Sequence, residues 1–273
     1  MQSIHTNYTS LLTQNNLNKT SGAMDQAMQR ISTGFRINSA SDDAAGLQIA
    51  TRLQSQTNGL TVAARNSEDA KSFLQTAEGA YDEMTNIAHR MKDLATQAAN
   101  GTNSQAEYDA MDAEYQELKL ELTNIQDNTE YGAGNNIFGA GGLLQAGMEF
   151  QIGSSSTSKM TLSADIADVD LTTTGGLTDQ ATATAEMAVL DTLTGEIGAQ
   201  RSILGATVNR LDHTVVNLGN MRENTEAAKG RIMDTDYAVE SSNMMKNQML
   251  TQMSMSMLSQ ANGMSGMVMS LIG

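Results

Sequence analysis

Phe73-Leu-Gln-Thr-Ala-Glu-Gly-Ala-Tyr-Asp-Glu-Met-Thr-Asn-Ile-Ala-His-Arg-Met-Lys-Asp-Leu-Ala-Thr-Gln-Ala98 is the stretch that decides the fold. Within it Phe73, Ala77, Ala80, Met84, Ile87, Met91, Leu94 and Ala98 recur at alternating intervals of four and three. A strand would alternate every second residue. A period near 3.5 instead marks a helix that lays one apolar seam against a partner helix with left-handed supercoiling. Tyr108, Met111, Tyr115, Leu118, Leu122 and Ile125 repeat the pattern. A third seam runs through Met187, Leu190, Ile197, Leu204, Val208, Leu211, Val215 and Leu218, with Thr194 and Arg201 as polar interruptions. Asn100-Gly-Thr-Asn-Ser104 separates the first two seams, and Ser104 is placed to cap the helix that follows. A helix from about Ala44 to Ala99 would span roughly 84 Å at 1.5 Å per residue.

The composition fits such an architecture. The chain has 273 residues with 20 Met, 4 Phe, 6 Tyr, no Trp and no Pro. Aromatic side chains supply much of the core of a compact enzyme, whereas long helices packed by Ala, Leu and Met need few of them and exclude interior Pro. The formal charge of −15 argues against a nucleic-acid partner. The absence of cysteine removes disulfides, thiolate metal sites and Cys nucleophiles. His5, His89 and His213 are scattered, and no H-E-x-x-H, G-x-S-x-G or phosphate loop occurs. No catalytic residue, cofactor or metal site is expected. Met1 to Leu12 lacks a basic segment followed by an apolar run, so no secretory signal peptide is expected. No run of about 18 apolar residues suggests membrane insertion.

Between Tyr131 and Gly176 the period changes. Gly-rich turns surround two short alternating runs, Met148 to Ile152 and Lys159 to Ser163. These predict a β-hairpin within an insert at about 137–176. The order is helices, a small strand region, then helices, so the chain is expected to go out and return with its ends side by side.

Those ends are unusual. From Asn247 to Gly273 no side chain is ionisable, and 1–41 carries only Asp25, Lys19, Arg30, Arg36 and His5. A helix facing water normally carries charge on its outer face, so both ends are expected to become covered by protein. Apolar residues recur at helical spacing in each: Ile4, Tyr8 and Leu11, then Leu17, Met24, Met28, Ile31 and Phe35 at one end. At the other stand Leu250, Met253, Met257, Met264, Met267 and Leu271. Met in such a stripe is read as packing material rather than a cofactor box. Gly34 suits a helix C-terminus. Ser39, Ser41, Asp42 and Asp43 suit the start of the next helix, a reading favoured over metal ligation because no further ligands accompany the aspartates.

Beyond these physical readings, Arg30-Ile-Ser-Thr-Gly-Phe-Arg-Ile-Asn-Ser-Ala-Ser-Asp-Asp-Ala-Ala-Gly-Leu-Gln-Ile-Ala50 resembles the N-terminal signature of bacterial flagellins. Asn15-Asn-Leu-Asn-Lys19 and Gln75-Thr-Ala-Glu-Gly-Ala80 match it too. Gly230-Arg-Ile-Met-Asp-Thr-Asp-Tyr-Ala-Val-Glu240 and Leu258-Ser-Gln-Ala-Asn262 resemble the C-terminal signature. The likeness covers about 1–138 and 183–273. Ser41 stands where Lys is common, and Gly230 where Ser is usual. The resemblance implies an extracellular filament subunit of the bacterial flagellum, exported by the flagellar type III apparatus and self-assembling into a helical homopolymer. The resemblance also implies a short form that lacks the large variable outer domains of longer members.

On this reading the fold is mainly α, with long antiparallel coiled-coil helices from both chain halves and a small β-hairpin region. Residues 1–41 with 236–273 form an inner polymerisation domain, and 42–235 an outer-tube domain. The expected polymerisation seam is Ile4, Tyr8, Leu11, Met24, Met28, Ile31, Leu250, Met253, Met257, Met264 and Leu271. The resemblance further implies an export chaperone, filament cap and junction proteins as partners. It also implies contact with the innate receptor Toll-like receptor 5 through Arg90, Leu94 and Glu114, with Lys92 and Asp93 replacing the common Arg and Glu. A hook–filament junction protein and a secreted membrane-interacting helical protein are the competing readings; the tail after Lys246 lacks the basic residues the latter needs.

Overall fold

The computed structural model describes residues 6–132, 134–139, 141–145, 147–162 and 174–272, with side chains as far as Met264 at the C-terminal end. Among these residues the chain runs α1 Tyr8–Thr33, α2 Ala44–Ala98, α3 Gln105–Asn128, β1 Glu130–Tyr131, β2 Asn135–Asn136, β3 Glu149–Gln151, β4 Lys159–Thr161, α4 Gln180–Met233 and α5 Tyr237–Ile272. The fold is mainly α. It forms two compact units, one of 58–222 and one of 1–57 with 223–273.

In the middle unit, α2 and α4 run antiparallel in constant register. Lys71 pairs with Asp212 at 2.6 Å, Asp82 with Arg201 at 2.9 Å, and Lys92 with Asp191. Each step up α2 is thus matched by an equal step down α4, as a coiled-coil seam requires. Every residue of the seam from Phe73 to Ala98 is buried, except Ala80, which packs partly buried against the core. Leu74, Tyr81, Ala88 and Ala95 add a second buried row on α2, because this helix contacts neighbours on two sides. On α3, Tyr108, Met111, Tyr115 and Leu122 are buried as the spacing predicts, with Leu118 and Ile125 partly so.

On α4 half of the expected phase holds: Leu190, Ile197, Leu204, Leu211 and Leu218 are buried. The alternate positions are shifted by one residue. Glu186, Leu193 and Thr207 go inside in place of Met187, Thr194 and Val208. Glu186 accepts hydrogen bonds from the Tyr115 hydroxyl at 2.7 Å and the Gly175 amide at 2.8 Å, which is what lets a carboxylate occupy a core position.

The β3–β4 hairpin pairs Glu149 with Thr161, Phe150 with Met160 and Gln151 with Lys159, each strand shorter than expected. Phe150, Met160 and Leu162 face the helices, with Phe150 tilted against Phe73 at 6.4 Å. Ser163, the expected end of the second strand, and 164–173 lie outside the described residues. A further pair, β1–β2, follows α3 and has no counterpart in the sequence reading.

Two caps fix the ends of α3 and α4. Glu107 accepts from the Ser104 amide and hydroxyl at 2.6 and 2.8 Å. Asp179 accepts from the Thr182 amide at 2.8 Å. Both carboxyls titrate below their ordinary range, Glu107 chiefly through the Ser104 amide and Asp179 chiefly through the Thr182 amide.

Candidate assembly surface

The terminal unit is built on α1 and α5, which pack antiparallel. The Asn7 side-chain amide donates to the Ala261 carbonyl at 2.8 Å and Ser10 bonds Asn262 at 2.8 Å, while at the far end Arg30 lies 3.6 Å from Glu240. Along α1 the inward positions are Ser10, Thr13, Leu17, Thr20, Met24, Ala27 and Ile31. Along α5 they are Glu240, Met244, Asn247, Thr251, Ser254, Leu258 and Ala261. Both sets keep strict heptad spacing. Most of these side chains are small or polar, and of them only Thr13, Ala27, Glu240, Thr251 and Ala261 are buried.

The breaks that delimit these helices are themselves paired. Gly34 takes φ +75°, which lets its amide close on the Arg30 carbonyl at 2.9 Å and end α1. Beyond it, Arg36 donates its amide to Met233 and Thr235 donates to Gly34, so the link after α1 and the link before α5 form a short antiparallel bridge. Asp42 gathers the Ser39 and Asn38 amides and the Ser39 hydroxyl. These donors, the Ser39 amide foremost, hold its carboxyl below the usual range. Asp43 accepts from the Gly46 amide at 2.8 Å and so caps α2, and Asp236 caps α5. Among the described residues no three His, Asp or Glu side chains are grouped as metal ligands.

Leu17, Met24, Ile31, Met244 and Leu258 share the α1–α5 seam with the small and polar residues, but many other large side chains face away. Tyr8, Leu11, Leu12 and Met28 on α1 are exposed, as are Met245, Met249, Leu250, Met253, Met255, Met257 and Met264 on α5. Of the seam expected from sequence, Tyr8, Leu11, Met28, Leu250, Met253, Met257 and Met264 stand on exposed faces. Met24 and Ile31 are half-buried on the α1 face that meets α5. Ile4 lies outside the described residues, as does the side chain of Leu271. Leu12, Met245, Met249 and Met255 lie outside the expected seam; the four-residue spacing of Met245, Met249, Met253 and Met257 is the signal that marks Met245 and Met249. An apolar expanse of this kind with no charge after Lys246 has little chemistry to offer except burial against another surface.

In the middle unit, Arg90 and Glu114 share an exposed ion pair at 2.6 Å, while Leu94, 3% exposed, points into the core.

Comparison with known proteins bears on these surfaces. Residues 4–140 match the bacterial flagellin N-terminal helical region and 187–272 the bacterial flagellin C-terminal helical region. Polar flagellin F of Vibrio parahaemolyticus is 33% identical, with 99% of each chain covered. That alignment extends over 377 positions, against 273 residues here, so the relative carries sequence this chain lacks. A flagellin of Halalkalibacterium halodurans is 38% identical over 87% of each chain. The crystal structure of Bacillus cereus flagellin superposes with a TM-score of 0.51 at 39% identity, covering 56% of this chain and 88% of that one.

Proposed function

The chain belongs to the bacterial flagellin family, and from that premise we infer that it polymerises through the large apolar faces that α1 and α5 turn away from each other. It is an extracellular structural subunit of the flagellar filament and not an enzyme. The observation that carries the inference is the inverted distribution of side chains in the terminal unit. Small and polar residues make up most of the α1–α5 seam, while Tyr8, Leu11, Leu12, Leu250, Met253 and Met257 remain in water. Copies of the same chain supply the missing cover, and burying these residues offsets the cost of ordering the helices. The paired breaks at 34–43 and 234–236 support assigning 1–41 with 236–273 to polymerisation and 42–235 to the outer tube.

Leu11→Asp with Leu250→Asp tests this. Both positions are exposed, so the monomer is expected to keep its helices and its melting temperature. A carboxylate buried between subunits costs several kcal/mol, so seeded elongation is expected to stop. Normal filaments from this variant would refute the reading.

An export chaperone, a filament cap and junction proteins are proposed as partners on family likeness. For Toll-like receptor 5, the exposed Arg90–Glu114 pair supports a contact surface, while Leu94, buried in the core, does not. Purified monomer that leaves a receptor-reporter cell silent rejects that partner.

A further inference from the structure

Two sets of methionines lie at opposite extremes of exposure. In the middle unit Met84, Met91, Met111 and Met160 are 2%, 0%, 7% and 4% exposed. On α5, Met245, Met249, Met253 and Met257 are 56%, 61%, 63% and 61% exposed. Intervals of four residues stack these last four on one helix ridge, each a turn above the one before. Met264 continues the same face a heptad further on.

A thioether reacts with peroxide when the oxidant can reach the sulfur. The sulfur lone pair attacks one peroxide oxygen, the O–O bond breaks, and with proton transfer the second oxygen leaves as water. The product is a sulfoxide, which converts a soft apolar side chain into a polar one. We propose that the ridge Met245, Met249, Met253 and Met257 is a peroxide-sensitive modification site of the unassembled subunit, and that its oxidation prevents α5 from being buried against a second copy of the chain. This rests on the polymerisation reading above.

The physical argument is one of mismatch. Each sulfoxide oxygen is a strong acceptor, and of the large side chains proposed to meet it, Leu11, Leu12 and Met offer no donor and Tyr8 only its hydroxyl. Burying an acceptor without a partner is unfavourable, and the ridge repeats that penalty four times per subunit. None of the four ridge sulfurs lies on the inward seam of α5, whose one methionine, Met244, is half-buried, so oxidation confined to the ridge leaves the α1–α5 pair intact. Methionine sulfoxide reductases reverse it, one enzyme for each sulfoxide epimer.

The test exposes full-length monomer and washed filaments to hydrogen peroxide, quenches with catalase, and reads both peptide masses and seeded elongation. In the monomer the four ridge methionines are expected to gain oxygen at least about tenfold faster than Met84, Met91, Met111 and Met160, and in filaments they are protected. Elongation of oxidised monomer is expected to fall about tenfold or more and to return after treatment with both reductases. A variant with all four ridge positions changed Met→Leu separates the ridge from Met28, Met221, Met255 and Met264. Whatever its untreated rate, that rate should be unchanged by peroxide. If the variant does not elongate at all, reductase rescue of the native chain remains the deciding measurement. Equal oxidation of both populations, or undiminished elongation with the ridge fully oxidised, overturns the proposal. In the second case Leu11→Asp with Leu250→Asp, run in parallel, locates the failure. If that variant still cannot elongate, the polymerisation surface stands and only the oxidation inference falls; if it elongates, both fall.

Discussion

Tyr115 and Glu186 show how much one polar contact can govern in an apolar seam. Both side chains are buried, and the Tyr115 hydroxyl donates to the Glu186 carboxylate beside the Gly175 amide. Burial, then the neighbouring carboxylate, raises the phenol well above its usual range, so it stays a donor at any pH the fold meets. Tyr115→Phe keeps the ring and leaves the carboxylate short of a partner, at an expected cost of about 2 kcal/mol read from chemical denaturation. Tyr115→Phe combined with Glu186→Leu should recover much of that loss, because no buried charge then remains. The exposed carboxyls act differently. Asp42, Glu107 and Asp179 all titrate below their ordinary values because amides donate to their charged forms. Their contribution is therefore fully present above the ordinary carboxyl range and is lost as pH falls through the depressed values. Melting temperature is expected to decline below about pH 4 and to be flat near neutrality; a decline beginning near pH 6 would point to another group. Heptad spacing foretold Tyr115 but not Glu186, since counting apolar residues selects Met187 and gives a carboxylate no reason to be inside.

The helix ends were legible because capping is local chemistry. Gly34 shows this: only a residue free of a Cβ takes φ +75° without strain, and the Arg30 carbonyl closure depends on it. Gly34→Ala finds open space around the added methyl, so the expected loss of about 1 kcal/mol is conformational. It should appear as reduced helicity in the terminal unit with the middle unit's transition unchanged. The β3–β4 hairpin was legible for the same reason, as alternation between turns. What the sequence could not assign was the role of each stripe on α1 and α5. The inward seam mixes small and polar residues with Leu17, Met24, Ile31, Met244 and Leu258, while other large apolar residues, most of them on α5, stand outside it. Hydrophobicity alone does not tell the two sets apart. Ser, Thr and Ala allow close approach but score weakly in any periodicity count. Apolar spacing alone therefore places Met24 and Ile31 in one stripe with Tyr8 and Leu11, although they sit half-buried on the inward face.

Taken unit by unit, burial is lopsided. The middle unit encloses Phe73, Leu74, Tyr81, Met84, Met91, Tyr115, Leu122, Ile137 and Leu144. In the terminal unit the buried apolar side chains among the described residues are Ala27, Ile37, Ala50 and Ala261. A buried side chain of leucine size contributes about 2 kcal/mol and an alanine methyl about 0.8 kcal/mol, so the two units cannot be equally stable in a monomer. Hydrogen exchange should resolve them. Amides of Phe73–Ala98, and of α3 and α4 within 58–222, are expected to exchange only through global unfolding. Those of α1 and α5 should exchange through openings several kcal/mol less costly. Assembly adds the outward faces to what is buried, so the same α1 and α5 amides should slow by orders of magnitude in the filament while those of the middle unit change little. If α1 and α5 were as well protected in a lone subunit as Phe73–Ala98, the small-residue seam would already suffice to hold them, and the exposed stripe would lose its claim to be what assembly covers.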